Sequence, residues 1–326
     1  MTGMMVKARN SKPEDVVTDA PLARSGDTSR AGEYSLVGPK DAPVVLVLGG
    51  ISASRHVTRG DADETPGWWE GIVGTGRAID TSVRRVLGLE YRDGGRGRDG
   101  RPARIVTTHD QAAHIVQILD ELGIDRLDAV VGASYGGMVA LALAERWPER
   151  VQHVVVICAA HEPHPMSVGL RALQRRIVEL GLDTGRATDA MALGRAVAMT
   201  TYRTAREFSG RFDITPTYSE RSAEFEVERY LMRAGEKFAE RMRPERFLAL
   251  SLSADLHRVQ PESVTVPSTV IALQGDTLVP PAQMRAMARR MPNLRAMLTL
   301  KTRFGHDAFL TEHDRLGAIL TASLSD

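Results

Sequence analysis

A glycine-rich turn around Ser134 is the part of the sequence whose residue types most directly suggest chemistry. The stretch "DAVVGASYGGMVALA", residues 128–142, passes from a strand-like apolar run through Gly-x-Ser-x-Gly into a helix-like run. Side chains in place of the flanking glycines would collide with the neighbouring strand or helix, and the turn lifts the serine hydroxyl above the sheet edge. The next helix begins with free backbone N–H groups, which suit a developing oxyanion. The pattern predicts a nucleophile, with a purely structural turn as the alternative.

A serine hydroxyl needs a base to take its proton and an acid to orient that base. In sites built on this turn, the acid and then the histidine follow the serine along the chain. Asp276 ends an apolar strand in "LQGDTLVPP", and His306 stands in "RFGHDAF" before the last predicted helix. His313 also follows the acid but lies on that helix. Other histidines come before the acid in the sequence, among them His109, His114, His153, His161 and His164.

An oxyanion that forms beside Ser134 needs a second backbone donor from the loop after an early strand. The segment "LGGISASRH", residues 48–56, is such a loop, and its glycines let the backbone come close. We predict an oxyanion hole made by the N–H groups of Ile51 and Tyr135. A simple turn after a strand is the alternative.

The segments around these residues alternate between strands and helices. Helix-like segments at 109–124, 136–147, 281–291 and from about 308 separate short apolar runs, which lie at 42–50, 84–91, 128–133, 151–160, 266–276 and 294–300. This rhythm predicts an α/β fold with a doubly wound, mostly parallel sheet. Residues 165–265 are almost wholly helical in pattern and interrupt this alternation of strands and helices. We therefore predict a polar, flexible tail over 1–30, a core over 31–164 and 266–326, and a helical lid insertion over 165–265.

Composition excludes several other classes of protein. The net charge is +1, so nothing suggests nucleic acid as a partner. No apolar stretch approaches the roughly 18 to 20 residues of a membrane helix, and the N-terminus lacks the apolar segment of a signal peptide. The single cysteine, Cys158, fits a reducing cytoplasm, which is the predicted location. No HExxH motif, cysteine pair or Walker loop is present, so no metal or bound cofactor is predicted.

Taken together, further segments of the chain resemble the homoserine O-acyltransferases of the α/β-hydrolase superfamily, which begin methionine synthesis. The likeness covers most of residues 42–326. It rests on "GWWEGIVGTGRAID" (67–80), "GASYGGMVALA" (132–142), "GRAVAMTTYR" (194–203), "GRF" (210–212), "FEVERYL" (225–231), "GEKF" (235–238) and "GHDAFL" (305–310). The resemblance implies an α/β-hydrolase fold with a helical lid.

The resemblance also implies a site for the amino-acid substrate. In this family an Arg and a Tyr seven residues later hold that substrate, and here they are Arg195 and Tyr202. Seven residues make about two helical turns, so both side chains face the same way. The acid after the catalytic histidine holds the α-amino group, and here it is Asp307. Without the resemblance, Arg195 reads as a solvated helix residue and Asp307 as a helix N-cap.

The implied reaction is a ping-pong acyl transfer from acyl-CoA, as co-substrate, to the hydroxyl of L-homoserine. Succinyl-CoA is the predicted donor, because Arg55 offers a cation for its second carboxylate and because Thr277 stands where acetyl-specific members often carry a large or basic residue. Acetyl-CoA as donor and serine as acceptor are the alternatives. The lid would exclude water and could pair two subunits, so a homodimer is expected.

Two departures from the family pattern and two rival functions remain. The segment before the first core strand is short, which predicts fewer early antiparallel strands, and residues 84–108 are compressed.

A carboxylesterase of the same fold would turn over simple esters without an amino-acid acceptor. A non-catalytic binding protein of this fold would be expected to have lost a member of the triad.

Overall fold

The computed structural model describes residues 33–60 and 64–325 of the chain. The tail predicted over residues 1–30 lies outside this part. None of the described helices is both long enough and apolar enough to pass through a bilayer.

A seven-stranded sheet forms the centre of the described chain. Its strands are β1 (Tyr34–Val37), β2 (Val44–Leu48), β3 (Arg85–Leu89), β4 (Ala129–Ala133), β5 (Val154–Ile157), β8 (Ser268–Leu273) and β9 (Leu294–Leu300). Their order across the sheet is β1-β3-β2-β4-β5-β8-β9. Only β1 runs antiparallel to its neighbour, and the remaining described strands of this sheet are parallel. Among described residues, the early antiparallel part is thus a single four-residue strand.

Both faces of the sheet are covered, which explains why its strands are continuous apolar runs. Along β2, Leu46 and Leu48 pack into one hydrophobic cluster, while Val45 and Val47 pack into another on the opposite face. This division follows from the alternation of side chains along a strand. The core helices are α1 (Thr108–Glu121), α2 (Tyr135–Arg146), α8 (Pro281–Ala288), α9 (Ala308–Thr311) and α10 (His313–Ser323).

The segment between β5 and β8 is mainly helical. It holds α3 (Pro165–Asp183), α4 (Ala187–Tyr202), α5 (Ala205–Arg211), α6 (Glu226–Ala239) and α7 (Pro244–Leu256). These helices share a small core, formed by Val178, Met191, Phe238, Met242, Phe247 and Leu248. We call helices α3 to α7 and their connections the lid.

The lid also contains two features that the helical pattern did not predict. One is the short helix α5, which the Thr204 side chain caps by accepting a hydrogen bond from the Glu207 amide. The other is a two-stranded hairpin formed by β6 (Thr217–Tyr218) and β7 (Ala223–Glu224). All four hairpin residues are exposed, so no buried face marks them in the sequence.

Candidate active site

The turn at Ser134 has the strained geometry that its glycines suggested. Ser134 lies between β4 and α2 with φ at 56°, a value that side-chain-bearing residues rarely adopt. A Cβ at Gly132 would lie 2.3 Å from the carbonyl oxygen of Gly136, and a Cβ at Gly136 would lie 2.3 Å from that of Leu48. Neither position therefore has space for a side chain. The tight packing holds Ser134 in an unfavourable conformation that presents its hydroxyl.

Three side chains from distant parts of the sequence meet at this turn. His306 Nε2 lies 2.8 Å from Ser134 Oγ, and His306 Nδ1 lies 2.7 Å from Asp276 Oδ2. The other oxygen of Asp276, Oδ1, accepts hydrogen bonds from the amides of Leu278 and Val279, each at 2.9 Å. Both carboxylate oxygens are therefore held in place. The structure brings together the three residues predicted as a triad, in an arrangement suited to proton transfer from Ser134 to His306.

The surroundings of His306 set its basicity. Burial lowers the pKa of its imidazole, but the charge of Asp276 and its hydrogen bond raise it, as does the charge of Asp307. The positive charge of Arg171 opposes that rise, and the net direction is above the ordinary value of 6.5. His306 is therefore a stronger base than a free imidazole.

The two predicted oxyanion donors lie beside the nucleophile. Ile51, Ser134 and Tyr135 line one pocket, whose free volume is about 100 Å³. Among the described residues, none accepts a hydrogen bond from the backbone N–H of Ile51 or of Tyr135. The neighbouring Gly136 amide, by contrast, donates to the Gly49 carbonyl and fixes the loop against α2. Two unused N–H groups thus remain near Ser134 for an oxyanion.

Arg195 and Tyr202 lie in the same pocket as Ser134, on the lid helix α4. The Arg195 guanidinium stands 5.0 Å from the ring centre of Tyr202 and 4.9 Å from that of Phe238. No carboxylate among the described residues pairs with it. The Tyr202 ring centre lies 6.0 Å from that of His306. A cation that contacts two aromatic rings and has no carboxylate partner in the described part of the chain therefore lies in the pocket of the reacting groups.

Asp307 also lines the pocket and is held by a residue that the sequence analysis did not select. Arg203 Nε donates to Asp307 Oδ2 at 3.1 Å, and Arg203 Nη1 donates to Glu207 at 2.8 Å. Asp307 Oδ1 accepts no hydrogen bond from a described residue. One carboxylate oxygen is therefore fixed and the other is free for a substrate group. The only signal for Arg203 in the sequence is its position directly after Tyr202.

Two further contacts fasten the end of α4 to the catalytic loops. Thr277, after the triad acid, donates to the carbonyl of Thr201 at 3.2 Å. Thr204 donates to the carbonyl of Arg303, shortly before His306. Together with the Arg203 pair, these contacts join the lid to both loops that carry the triad.

A second residue that sequence reasoning missed is Arg171, on α3. Its Nε donates to Asp255 Oδ1 at 2.6 Å, and Arg175 donates to the other oxygen of Asp255 at 2.6 Å. Arg171 lines the pocket of Ser134, and its Nη2 is buried without any described acceptor. A buried donor of a charged group without a partner costs about 1 to 3 kcal/mol or more. The neighbouring Gln174 is buried and lines the same pocket.

The two residues proposed from sequence as acyl-group determinants do not line this pocket among its described lining residues. The backbone of Arg55 lies near the β1 edge of the sheet. Its carbonyl accepts a hydrogen bond from the Ser35 hydroxyl, and its amide donates one to the Glu90 carboxylate. Thr277 is exposed and holds the end of α4, as described above. The arginines that line the pocket are Arg171 and Arg195.

Cys158 lies beneath the triad. Its Sγ is grouped with ligand atoms of Asp276 and His306 that all lie within 4.8 Å of one another. Burial raises the pKa of the Cys158 thiol well above its ordinary value, and the charge of Asp276 raises it further. The thiol is therefore protonated, and the other two residues are engaged with each other, so the trio is a poor metal site.

Comparisons with known proteins agree with this fold. A family model described as the alpha/beta hydrolase fold matches residues 43–313. The homoserine O-succinyltransferase of Xanthomonas campestris pv. campestris is 41% identical, over 95% of this chain and 83% of that protein. The L-serine/homoserine O-acetyltransferase of Streptomyces lavendulae is 33% identical, over 84% of this chain and 85% of its own length.

Among solved structures, that of esterase E22 matches with a TM-score of 0.79 and 19% identity, covering 89% of this chain and 93% of the esterase. At this identity the likeness shows the fold alone, and it confirms the doubly wound α/β architecture. The two acyltransferase relatives are more similar in sequence than the esterase, and they confirm that the chain is an acyltransferase. The chain therefore belongs to the α/β-hydrolase superfamily and, within it, to the homoserine O-acyltransferase family.

Proposed function

We propose that this protein is a homoserine O-succinyltransferase, which moves a succinyl group from succinyl-CoA to the hydroxyl of L-homoserine through an acyl-enzyme on Ser134. The observation that carries the chemistry is the continuous line of hydrogen bonds from Asp276 through His306 to Ser134, at 2.7 and 2.8 Å. The name of the Xanthomonas relative supports both the donor and the acceptor. The product would serve methionine biosynthesis.

In the first half of the reaction, His306 Nε2 takes the proton of Ser134 Oγ as that oxygen attacks the thioester carbonyl. The oxyanion rests on the N–H groups of Ile51 and Tyr135. The C–S bond then breaks, and the proton on His306 goes to the departing CoA sulfur. Asp276 keeps the imidazole in the required tautomer throughout.

In the second half, His306 takes the proton of the homoserine hydroxyl while that oxygen attacks the acyl-serine ester. The bond from the acyl carbon to Ser134 Oγ breaks, and the serine recovers its proton from His306. Transfer rather than hydrolysis requires a narrow site that excludes water and orients the acceptor. The small pocket beneath the lid supports this requirement.

The acceptor assignment rests on two groups with opposite charges. Arg195 is a cation without a described partner carboxylate, which suits the α-carboxylate of an amino acid. Asp307 offers the free Oδ1 to the α-amino group. Serine lacks one methylene of homoserine, a difference worth only about 1–3 kcal/mol in a pocket. Serine is therefore the alternative acceptor, which the name of the Streptomyces relative also supports.

The donor assignment rests on Arg171. Its Nη2 is buried beside the pocket without a described acceptor, and its charge is close enough to influence His306. The terminal carboxylate of a succinyl group would supply the missing acceptor, with Gln174 as a second donor. An acetyl group has no such carboxylate and would leave Nη2 of Arg171 without a described acceptor. Burial of an unpaired charged donor would therefore be explained by a dicarboxylic acyl group.

Replacing Arg171 with methionine tests the donor. We expect kcat/KM for succinyl-CoA to fall about 20-fold, because a charge-assisted hydrogen bond to the substrate is lost. The same parameter for acetyl-CoA should stay within about threefold. Steady-state kinetics with each donor at saturating homoserine measures both values. In a ping-pong reaction kcat/KM for the donor reports only the first half-reaction.

Arg55→Ala is the matched control, because it removes another half-buried arginine near the pocket loop without removing the guanidinium that faces the pocket. It should change neither donor's kinetics. Equal losses with both donors in Arg171→Met would contradict a role in donor choice and indicate a structural role through Asp255. A selective loss in Arg55→Ala would return the assignment to Arg55.

The pH dependence follows from the raised pKa of His306. A general base works only when neutral, so the rate of acylation should fall as the pH drops through this pKa. We expect the acidic limb of kcat/KM for succinyl-CoA to have its midpoint above 6.5. Asp307→Asn removes one of the charges that raise this pKa and should move the limb to lower pH. A limb below 6.5, or a shift in the opposite direction, would contradict this account.

One experiment tests the function as a whole. Purified protein is given succinyl-CoA or acetyl-CoA, with or without homoserine or serine, and analysed by intact-protein mass spectrometry alongside CoA release. A succinyl adduct that disappears only when homoserine is added supports the proposal. Brisk CoA release without any acceptor would instead indicate an esterase or thioesterase.

We also propose that the protein is a cytoplasmic homodimer that associates through the lid. Its single cysteine supports a reducing compartment. On α3, Met166, Leu173 and Leu180 recur every seven residues and are 64%, 63% and 51% exposed. An apolar stripe with this period is typical of helices that pair. A monomer mass in light scattering at micromolar concentration would overturn the dimer.

A further inference from the structure

A groove on the lid outside the catalytic pocket carries an unusual concentration of positive charge. We call it the basic groove. It lies between the end of α5 and helix α6, has a volume of about 450 Å³, and is lined by Arg211, Phe212, Glu226, Arg229, Tyr230, Arg233, Ala234 and Lys237. Four of these eight residues are cations and one is an anion. The whole chain, by comparison, has a net charge of only +1.

The charges in the basic groove are only partly compensated. Arg229 pairs with Glu224 at 3.1 Å, and Arg211 lies 3.6 Å from Glu207, which Arg203 already binds at 2.8 Å. No carboxylate in the described part of the chain pairs with Arg233 or Lys237.

The spacing of the cations along α6 adds to the argument. Arg229, Arg233 and Lys237 are four residues apart, so they form one row along the helix. Like charges at this spacing destabilise a helix by a few tenths of a kcal/mol per pair. From Arg229 to Lys237 the row extends eight residue steps, or about 12 Å of helix. A bound polyanion of similar length would remove the repulsion and satisfy the unpaired donors.

Side-chain contacts lead from the basic groove to the catalytic loop. Asp307, next to His306, binds Arg203, and Arg203 binds Glu207, which in turn lies beside Arg211. Helix α5 separates the two ends of this series and has seven residues, or about 10 Å of helix. Three successive ion pairs therefore connect Asp307 to the basic groove.

We propose that the basic groove binds the 3′-phosphorylated ADP end of acyl-CoA while the thioester reaches Ser134. This inference rests on the proposed function, since it assumes an acyl-CoA donor. The diphosphate and the 3′-phosphate are the anions that the arginines and the lysine would bind. Phe212 and Tyr230 also line the groove, and the Arg211 guanidinium lies over both rings at 5.2 and 4.2 Å, so the adenine would stack against a surface of rings and guanidinium. The pantetheine arm has about the reach of four extended residues, roughly 14 Å, which exceeds the roughly 10 Å length of α5.

The test compares donors with and without the nucleotide. Arg233→Ala and Lys237→Ala are each expected to lower kcat/KM for succinyl-CoA about tenfold, because each removes a charge-assisted hydrogen bond to phosphate. With S-succinyl-pantetheine, which carries the same thioester but no nucleotide, both variants should match the unaltered protein. Calorimetry with CoA alone should show the same tenfold weakening of Kd.

Arg289→Ala, on an exposed arginine after α8, is the matched control and should affect neither donor. Equal losses with both donors would overturn the inference and indicate a structural role for α6. Unchanged kinetics with succinyl-CoA would overturn it by showing that the nucleotide binds elsewhere. If the unaltered protein bound CoA but formed no acyl-enzyme, the proposed function would fail, and the calorimetry would still decide the role of the basic groove.

Discussion

Ser134→Ala should lower the rate of acyl transfer by about ten-thousand-fold, with the fold intact. The substitution removes only Oγ, which lies 2.8 Å from His306 Nε2 and has no replacement at that position. Alanine and serine bear the same Cβ, so the backbone strain at φ 56° is unchanged. The variant should take up no acyl adduct in intact-protein mass spectrometry, and its melting temperature should stay within a few degrees.

Ser52→Ala is a suitable control, because Ser52 is another hydroxyl that lines the same pocket. It should still form the adduct on Ser134. Transfer at more than about one per cent of the normal rate in Ser134→Ala would contradict the acyl-enzyme, because direct transfer between the two substrates needs no serine. Adduct formation without Ser134 would point to another nucleophile.

Arg195→Met should reduce kcat/KM for homoserine about a hundredfold while leaving acylation by succinyl-CoA nearly unchanged. Truncation of a charged group that binds a desolvated carboxylate typically costs about 2–5 kcal/mol, and a hundredfold loss corresponds to about 2.7 kcal/mol. Methionine keeps an unbranched apolar stem between the rings of Tyr202 and Phe238, so the packing of the lid is disturbed little. Single-turnover acylation followed by a titration with homoserine separates the two steps.

Arg186→Met provides the comparison at the start of the same helix, because the Arg186 side chain is 74% exposed and pairs with Asp189 on the surface. It should leave both half-reactions unchanged. If Arg195→Met slowed acylation as much as it slowed the attack by homoserine, Arg195 would act on the lid or the donor rather than on the acceptor. Partial recovery in Arg195→Lys would support a role for the charge.

The triad was visible in the sequence because each member is marked by its local backbone. Ser134 needs glycines on both sides, Asp276 follows a buried strand, and His306 lies in the loop after the last strand. Each of these features can be recognised within a few residues of the side chain concerned. Because the carboxyl ends of parallel strands lie at one edge of the sheet, the fold then brings the three side chains together. The alternation of strands and helices also predicts a mostly parallel sheet, whereas the order of its strands is known only from the structure.

The charged residues of the lid could not be assigned in this way. Arg171 is fixed by Asp255, which lies 84 positions later, and only this pair reveals that its Nη2 lacks a partner. Arg55 sits in a plausible loop by sequence, but hydrogen bonds to Ser35 and Glu90 carry it away from the pocket. A lone arginine has the same appearance in the sequence whether it is solvated, structural or facing a ligand.

The attachment of α4 to the catalytic loops limits how substrates can exchange. Thr277 and Arg203 tie the end of this helix to the triad acid's loop and to Asp307, so raising α4 would pull on the residues beside Asp276 and His306. An opening motion of α4 would therefore break these hydrogen bonds and disturb the geometry of the triad, so the acyl-enzyme chemistry would stop while the helix was raised.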